Sequence, residues 1–265
     1  MLTNPRADRV RSVAALSRRS ARERSGLFVA EGPQSVREAV RFRADSVQDL
    51  YLTAEAGGRH PEIIAAAIAA GVHVHDCTPE VLAAMSDTDA PQGLLAVCRV
   101  RTDTLAHVLA RRPRLLLVLA HVRDPGNAGT VLRGADAAGA DAVIVSAASV
   151  DVFSPKVVRS TAGSLFHLPV VTGLPVPQIL AELREAGIVS LAADGGGSRL
   201  LPEVDLTPPH AWVMGNEAWG LPLPLREACD EVVRVPIFGQ AESLNLAMAA
   251  TVCLYASAMA QHPSH

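Results

Sequence analysis

Residues 115–120 (LLLVLA) and 142–145 (AVIV) are apolar at every position. Runs this short and this uniform fit strands buried on both faces, and such strands belong to sheets covered by helices on either side. The rest of this half continues the alternation. Further strands are predicted at 188–192, 211–214 and 231–235, and helices at 128–138, 176–186, 223–228 and 244–260. The expected fold is a doubly wound α/β sheet, which takes its ligands beyond the carboxyl ends of its strands. The unusual loops of this half all follow predicted strands, so they are expected on one edge.

The first part of the chain repeats the alternation on a smaller scale. Strands are predicted at 26–30, 47–53, 72–75 and 94–100, with helices at 33–42, 61–70 and 79–85. Before them, 5–24 reads as one Arg-rich helix in which Val10, Val13, Ala14 and Leu16 interleave with basic positions. Domains are therefore expected at 1–101 and 114–265, joined by a helical connector over 102–113 that ends at Pro113. Hydrophobic residues make up 49% of the 265 and charged residues 19%, enough for two cores and incompatible with global disorder.

A net charge of −3 carries no overall nucleic-acid signature, but its distribution is uneven. Residues 1–43 hold ten arginines against Asp8, Glu23, Glu31 and Glu38, a local excess of six positive charges. Lys156 is the only lysine in the chain. Arginine presents a planar, always-charged fork suited to phosphate, which makes Arg18, Arg19, Arg22 and Arg24 candidate phosphate contacts; a solvated basic face is the plainer alternative. Cys77, Cys98, Cys229 and Cys253 are scattered without CxxC spacing and read as reduced, buried thiols. His73 and His75 alternate on a strand without partner ligands, so no metal is expected. No apolar stretch reaches membrane-spanning length, and a soluble, cytoplasmic protein is expected.

Three strand-end loops carry the chemistry. In the first, Asp124-Pro125-Gly126-Asn127 makes a tight turn, Asn127 is a good N-cap for the next helix, and Arg133 lies six residues on. In the second, Gly215 allows close backbone approach, and the neighbouring Glu217 either accepts from nearby donors or caps the helix at 223–228. The third runs from Val235 to Ala247. There a strand ends at Pro236, a polar loop follows, and Ser243-Leu244-Asn245 opens a long apolar helix whose N-terminal N–H groups can hold a polar ligand.

These residues resemble a known family. DPGNxGTxxRxADAxG at 124–139, GNExxGL at 215–221 and SLNxAxA at 243–249 are similar, in order, to the three motifs of the SpoU (TrmH-like) RNA ribose 2′-O-methyltransferases of the SPOUT superfamily. The stretch 154–163, which contains Arg159, also resembles that family. Glu31-Gly32 and Pro91-Gln92-Gly93 make the first domain look like the L30e-like RNA-binding domain common in these enzymes. Departures are small: Gly134 where Thr or Ser is usual, Phe238-Gly239 in the third loop, and Leu246 where Val is common.

The resemblance implies a deep C-terminal trefoil knot and a homodimer. It implies S-adenosylmethionine as methyl donor, without a metal, held by Gly215, Val235, Ile237, Ser243, Leu244 and Asn245. It implies a ribose 2′-hydroxyl as acceptor, in rRNA first and tRNA second, and a catalytic set of Arg133, Asn127, Glu217, Ser243 and Asn245. Arginine is effectively always protonated, so a base role demands strong perturbation; the preferred role for Arg133 is phosphate clamp and stabiliser of the developing alkoxide. With RNA as the implied substrate, Arg18, Arg19, Arg22 and Arg24 become candidate RNA contacts, and Arg159 is a further candidate for RNA phosphate. Two other readings stand beside this one. A non-catalytic RNA-binding relative would share the fold. A nucleotide-dependent oxidoreductase is suggested only by Asp194-Gly195-Gly196-Gly197, which lacks GxGxxG spacing.

Overall fold

A computed structural model describes residues 1–262; residues 263–265, the end of the expected second domain, lie outside the described residues. The chain divides into two compact units, Met1–Arg101 with Asp151–His167, and Thr102–Val150 with the residues from Leu168 onward. Residues 151–167, expected in the second domain, thus belong to the first unit.

The first unit opens with α1 (Asp8–Ala14), a 3-10 turn (Ala15–Ser17) and α2 (Arg19–Ser25), not with one helix over 5–24. The break falls at Arg18, whose backbone is extended (φ −92°, ψ 133°). A break strands the last carbonyls of the first helix. Arg22 answers this: its Nη1 donates to the Leu16 and Ser17 carbonyls at 2.7 and 2.8 Å. Its Nε and Nη2 donate to Asp151 at 2.9 and 2.6 Å, and the side chain is buried. After this come β1 (Leu27–Glu31), α3 (Gly32–Arg43), β2 (Val47–Leu52), α4 (Ala54–Arg59), α5 (Pro61–Ala69), β3 (His73–Asp76), α6 (Pro79–Met85) and β4 (Leu94–Arg99). Helix α4 was not expected; the Thr53 hydroxyl caps it by accepting from the Ala56 N–H. Strand order is β1-β4-β2-β3, with β4 antiparallel to both neighbours and β3 parallel to β2.

The second unit holds α7 (Leu105–Ala110), β5 (Leu115–Leu119), α8 (Pro125–Ala137) and β6 (Ala142–Ser146). The chain then contributes α9 (Pro155–Ser160) to the first unit and returns through β7 (Val170–Leu174). There follow α10 (Val176–Glu185), β8 (Val189–Ala193), β9 (Arg199–Leu200), β10 (His210–Met214), α11 (Leu223–Ala228), β11 (Glu231–Arg234) and α12 (Leu246–Gln261). The seven strands run β7-β6-β5-β10-β8-β11-β9, and every pairing is parallel. All residues of β5, β6 and β10 are buried, as the uniform apolar runs predict. The edge strands β7 and β9 escaped the sequence reading. Strand β7 carries Gly173 at φ +85° with a register shift, and β9 is two residues long, so neither leaves an apolar run.

Helices α8 and α12 pack on each other. A Cβ on Gly134 would lie 3.1 Å from the Thr251 Oγ1, so the missing side chain there lets the two helices approach. Helix α12 is fastened to β10 by a buried network around Ser257, whose hydroxyl meets His210 Nε2 at 2.7 Å and accepts from Trp212 Nε1 at 2.8 Å.

Candidate active site

Because the second sheet is parallel, the loops after β5, β8, β10 and β11 leave from one edge. The loop after β10 is a closed ring. Asn216 and Gly220 exchange N–H···O bonds of 2.9 Å each. A Cβ on Gly215 would come within 2.4 Å of the Gly220 carbonyl carbon, so only glycine fits there. The Asn216 side chain donates to the His121 carbonyl at 2.9 Å and accepts from the Ala218 N–H at 2.9 Å.

Glu217 joins this ring to the loop after β5: its carboxylate accepts from the N–H groups of Arg123 (3.3 Å) and Asp124 (3.0 Å). It does not cap α11, whose N-cap position is Pro222. Nor is Asn127 the cap of α8. That helix starts three residues earlier than expected, because Pro125 suits a first helical position whose N–H is not needed. Asp124 caps it, accepting from the Asn127 N–H at 2.6 Å. The Asn127 side chain is thereby released, and its Oδ1 accepts from Asn245 Nδ2 at 3.1 Å. Asn245 in turn caps α12 through Oδ1, which accepts from the Ala247 N–H at 2.9 Å. Helix α12 accordingly begins at Leu246, not 244.

Between the second and third loops lies a cavity of about 720 Å³. Gly215, Val235, Ile237, Ser243 and Leu244 line it, together with Glu217. Asn245 is placed beside it as the helix cap. The sequence reading missed Asp194, Leu200, Met214, Ala218 and Leu246, which also face the cavity. In the sequence, Asp194 offers with its glycines only a weak dinucleotide signal. The turn after it leads into β9 and not into a helix, and its Oδ1 accepts from Arg226 at 3.1 Å. Its place at a strand end was the available clue. The walls thus combine Leu200, Met214, Leu244 and Leu246 with the charged residues Asp194, Glu217, Arg234 and Glu242. From Pro236 to Leu244 no backbone–backbone hydrogen bond is made among the described residues, so these groups are open to solvent or to a ligand. Such a surface, carrying Arg234 as well as carboxylates, suits a ligand with an apolar ring and polar edges.

Arg133 lies on the exposed face of α8, outside the cavity lining, and its guanidinium has no hydrogen-bond partner among the described residues. In the first unit, Arg18 and Arg24 are exposed and unpaired among the described residues, and Arg19 pairs with Glu23 at 2.8 Å. Arg22 must be withdrawn as a surface contact, since all of its donors but part of the fork are spent inside the fold. Arg159 is partly spent as well, on Glu31 (3.0 Å) and Asp87 (3.2 Å). Its partner Glu31 also accepts from the Asp87 N–H at 2.8 Å and from the Ser86 hydroxyl. All four thiols are buried, and burial pushes those of Cys98 and Cys253 up to about 12.

A parallel sheet with a ligand-sized cavity over its strand ends places the second unit among α/β proteins that bind a small molecule at that edge. More narrowly, the chain belongs to the SpoU rRNA Methylase family, whose profile matches residues 114–255. The profile of the MRM3-like substrate binding domain matches residues 7–96. The chain is 32% identical over 247 residues to the 23S rRNA (guanosine(2553)-2′-O)-methyltransferase RlmP of Bacillus subtilis, covering 93% of this chain and 94% of that protein. It is 33% identical to the 23S rRNA (guanosine-2′-O-)-methyltransferase RlmB of Bordetella pertussis, over 86% of this chain and 96% of that one. An AdoMet-bound rRNA methyltransferase from Sinorhizobium meliloti has the same fold, with a TM-score of 0.86 at 29% identity, covering 100% of this chain and 98% of that chain.

Proposed function

We propose that this protein transfers the methyl group of S-adenosylmethionine to a ribose 2′-hydroxyl of ribosomal RNA. The observation that carries the reading is the way three motif loops are tied to one another beside one cavity, Glu217 holding the first loop and Asn245 reaching Asn127. Relatives named as 23S rRNA 2′-O-methyltransferases support the acceptor. When bound, S-adenosylmethionine supplies an electrophilic methyl on a sulfonium: the S–CH3 bond breaks as the O–CH3 bond forms, and the hydroxyl proton leaves to solvent.

The chain's own part is binding and orientation. Gly215, Val235, Ile237, Ser243, Leu244 and Asn245 hold the donor, largely through backbone groups. Arg133 binds RNA phosphate and stabilises the developing alkoxide. Arg18, Arg19 and Arg24 carry the RNA on an L30e-like first domain. The C-terminal segment forms a deep trefoil knot around the donor. A second copy covers the stripe Met248, Val252, Tyr255 and Met259, which is 60, 43, 42 and 68% exposed along one face of α12. No helix among the described residues is long and apolar enough to cross a membrane; a cytoplasmic location follows from the substrate.

Incubation with methyl-labelled S-adenosylmethionine and in vitro transcribed, unmethylated rRNA tests the reading, with tRNA transcripts as a second arm. Label at one ribose 2′-oxygen of rRNA is expected. Incorporation no higher than with heat-denatured protein rejects it.

A further inference from the structure

Trp219 is half exposed (50%), whereas the other tryptophan, Trp212, is fully buried. Tryptophans are mostly buried on average, so half exposure leaves an unusually large part of this indole open. Its neighbours Asn216, Glu217, Ala218 and Gly220 all line the cavity, and Trp219 does not, so it stands at the rim. The loop beneath it is held by the reciprocal Asn216–Gly220 bonds and by the close packing of Gly215.

One ring meets it. His121, two residues beyond β5, contacts Trp219 with ring centroids 5.7 Å apart and planes at 62°. His121 sits at φ +61°, a left-handed conformation unfavourable for a residue with a side chain. Both of its backbone groups are fastened: the N–H donates to Ser146 Oγ at 3.1 Å, and the carbonyl accepts from Asn216 Nδ2 at 2.9 Å. A strained residue so firmly held, aimed at an exposed aromatic beside a cavity, marks a functional surface. Arg123 follows two residues later, exposed and without an ion-pair partner among the described residues.

We propose that Trp219 and His121 form an aromatic rim against which a base at or next to the target nucleotide stacks, placing its ribose over the cavity. The inference rests on the methyl-transfer reading. Unpaired RNA bases stack on Trp and His faces, and every base offers such a face. The rim therefore orients the ribose and leaves sequence choice to other contacts, while Arg123 offers a cation to the adjoining phosphate.

The test uses the full-length protein and unmethylated rRNA transcripts. Trp219→Ala is expected to raise KM for rRNA about 5- to 100-fold while leaving the Kd for S-adenosylmethionine within about twofold. Trp219→Phe keeps a π-face and recovers most of the loss. RNA is expected to quench the tryptophan emission of the wild type and not that of Trp219→Phe, where only buried Trp212 remains. An rRNA KM for Trp219→Ala within about twofold of wild type overturns the proposal, as does a wild-type emission unmoved by saturating RNA. A donor Kd that rises in parallel with the rRNA KM also overturns it, because Trp219 would then only prop the pocket. Quenching by RNA in a wild type that transfers no methyl keeps the stacking rim and removes the methyl-transfer reading instead.

Discussion

Asn245 uses both ends of one amide: Oδ1 caps α12 and Nδ2 bonds Asn127 across the site. The two roles separate by substitution. Asn245→Ala should cost about 1 kcal/mol of stability, the usual worth of a cap, and weaken donor binding. Asn245→Ser keeps a capping oxygen but is too short to reach Asn127, so it should recover the melting temperature and not the methylation rate. A serine variant with full methylation would show the cross-loop bond to be idle. Gly215→Ala pits a Cβ against backbone atoms only 2.4 Å away, which cannot yield as a flexible side chain would. Loss of about 1–3 kcal/mol and a donor Kd at least tenfold higher, on the order of one kcal/mol or more, are expected by calorimetry. Arg133→Lys keeps the charge and removes the fork; methylation within about threefold of wild type would reject the clamp role.

At the scale of elements, the joint between α1 and α2 depends on Arg22, and the seat of α12 on Ser257. Removing Arg22 leaves the Leu16 and Ser17 carbonyls without their donor and Asp151 without its partner. Arg22→Ala should therefore destabilise by about 3–5 kcal/mol, against about 0.5 kcal/mol or less for the exposed Arg18→Ala, read by denaturant melts. Beneath α12, His210 Nδ1–H donates to the Pro208 carbonyl at 2.8 Å, and Nε2 is left as acceptor for the Ser257 hydroxyl. Burial holds the His210 pKa below its ordinary 6.5, and nearby Arg114 adds to this, while the Pro208 bond and Asp205 oppose it. The unfolded chain thus takes up the proton at higher pH than the folded one. The stability from a neutral His210 is present above about pH 6.5 and is lost as pH falls through the folded pKa. Melting temperatures of wild type and His210→Gln, followed from pH 8 to 5, should show a steeper acid fall in the wild type. Parallel curves would count against the buried neutral imidazole.

Over the whole molecule, the chain passes between its two units three times. The segment Asp151–His167 brings Phe153 and Phe166 against Phe28 of β1, with ring centroids 5.0 and 6.1 Å away. Deleting residues 1–100 to isolate the second unit would bare both rings and leave Asp151 unpaired. Such a fragment should aggregate and bind hydrophobic dyes, and a soluble, donor-binding fragment would contradict this packing. The arginine surface is better tested in the intact chain. Arg18→Glu with Arg24→Glu should raise the RNA Kd by at least about fivefold and flatten its salt dependence, with donor binding unchanged. An unaltered RNA Kd would return these arginines to a plain solvated face.

Much of this protein is legible because its signals are local. Uniform apolar runs predict β5 and β6, and the motif glycines and asparagines mark three loops on one sheet edge. Parallel pairing then requires those loops to share it. Tertiary structure decided what depends on distant partners. Whether Arg22 faces RNA or fills a buried joint is set by Asp151, 129 residues away. Whether Asn127 caps a helix or reaches Asn245 is settled by Asp124 taking the cap first. Asp194 became a wall residue only when β11 closed beside β8. Periodicity reports which face of an element is buried. It does not report which group on another element completes a charge or a hydrogen bond, because that pairing exists only after the chain has folded.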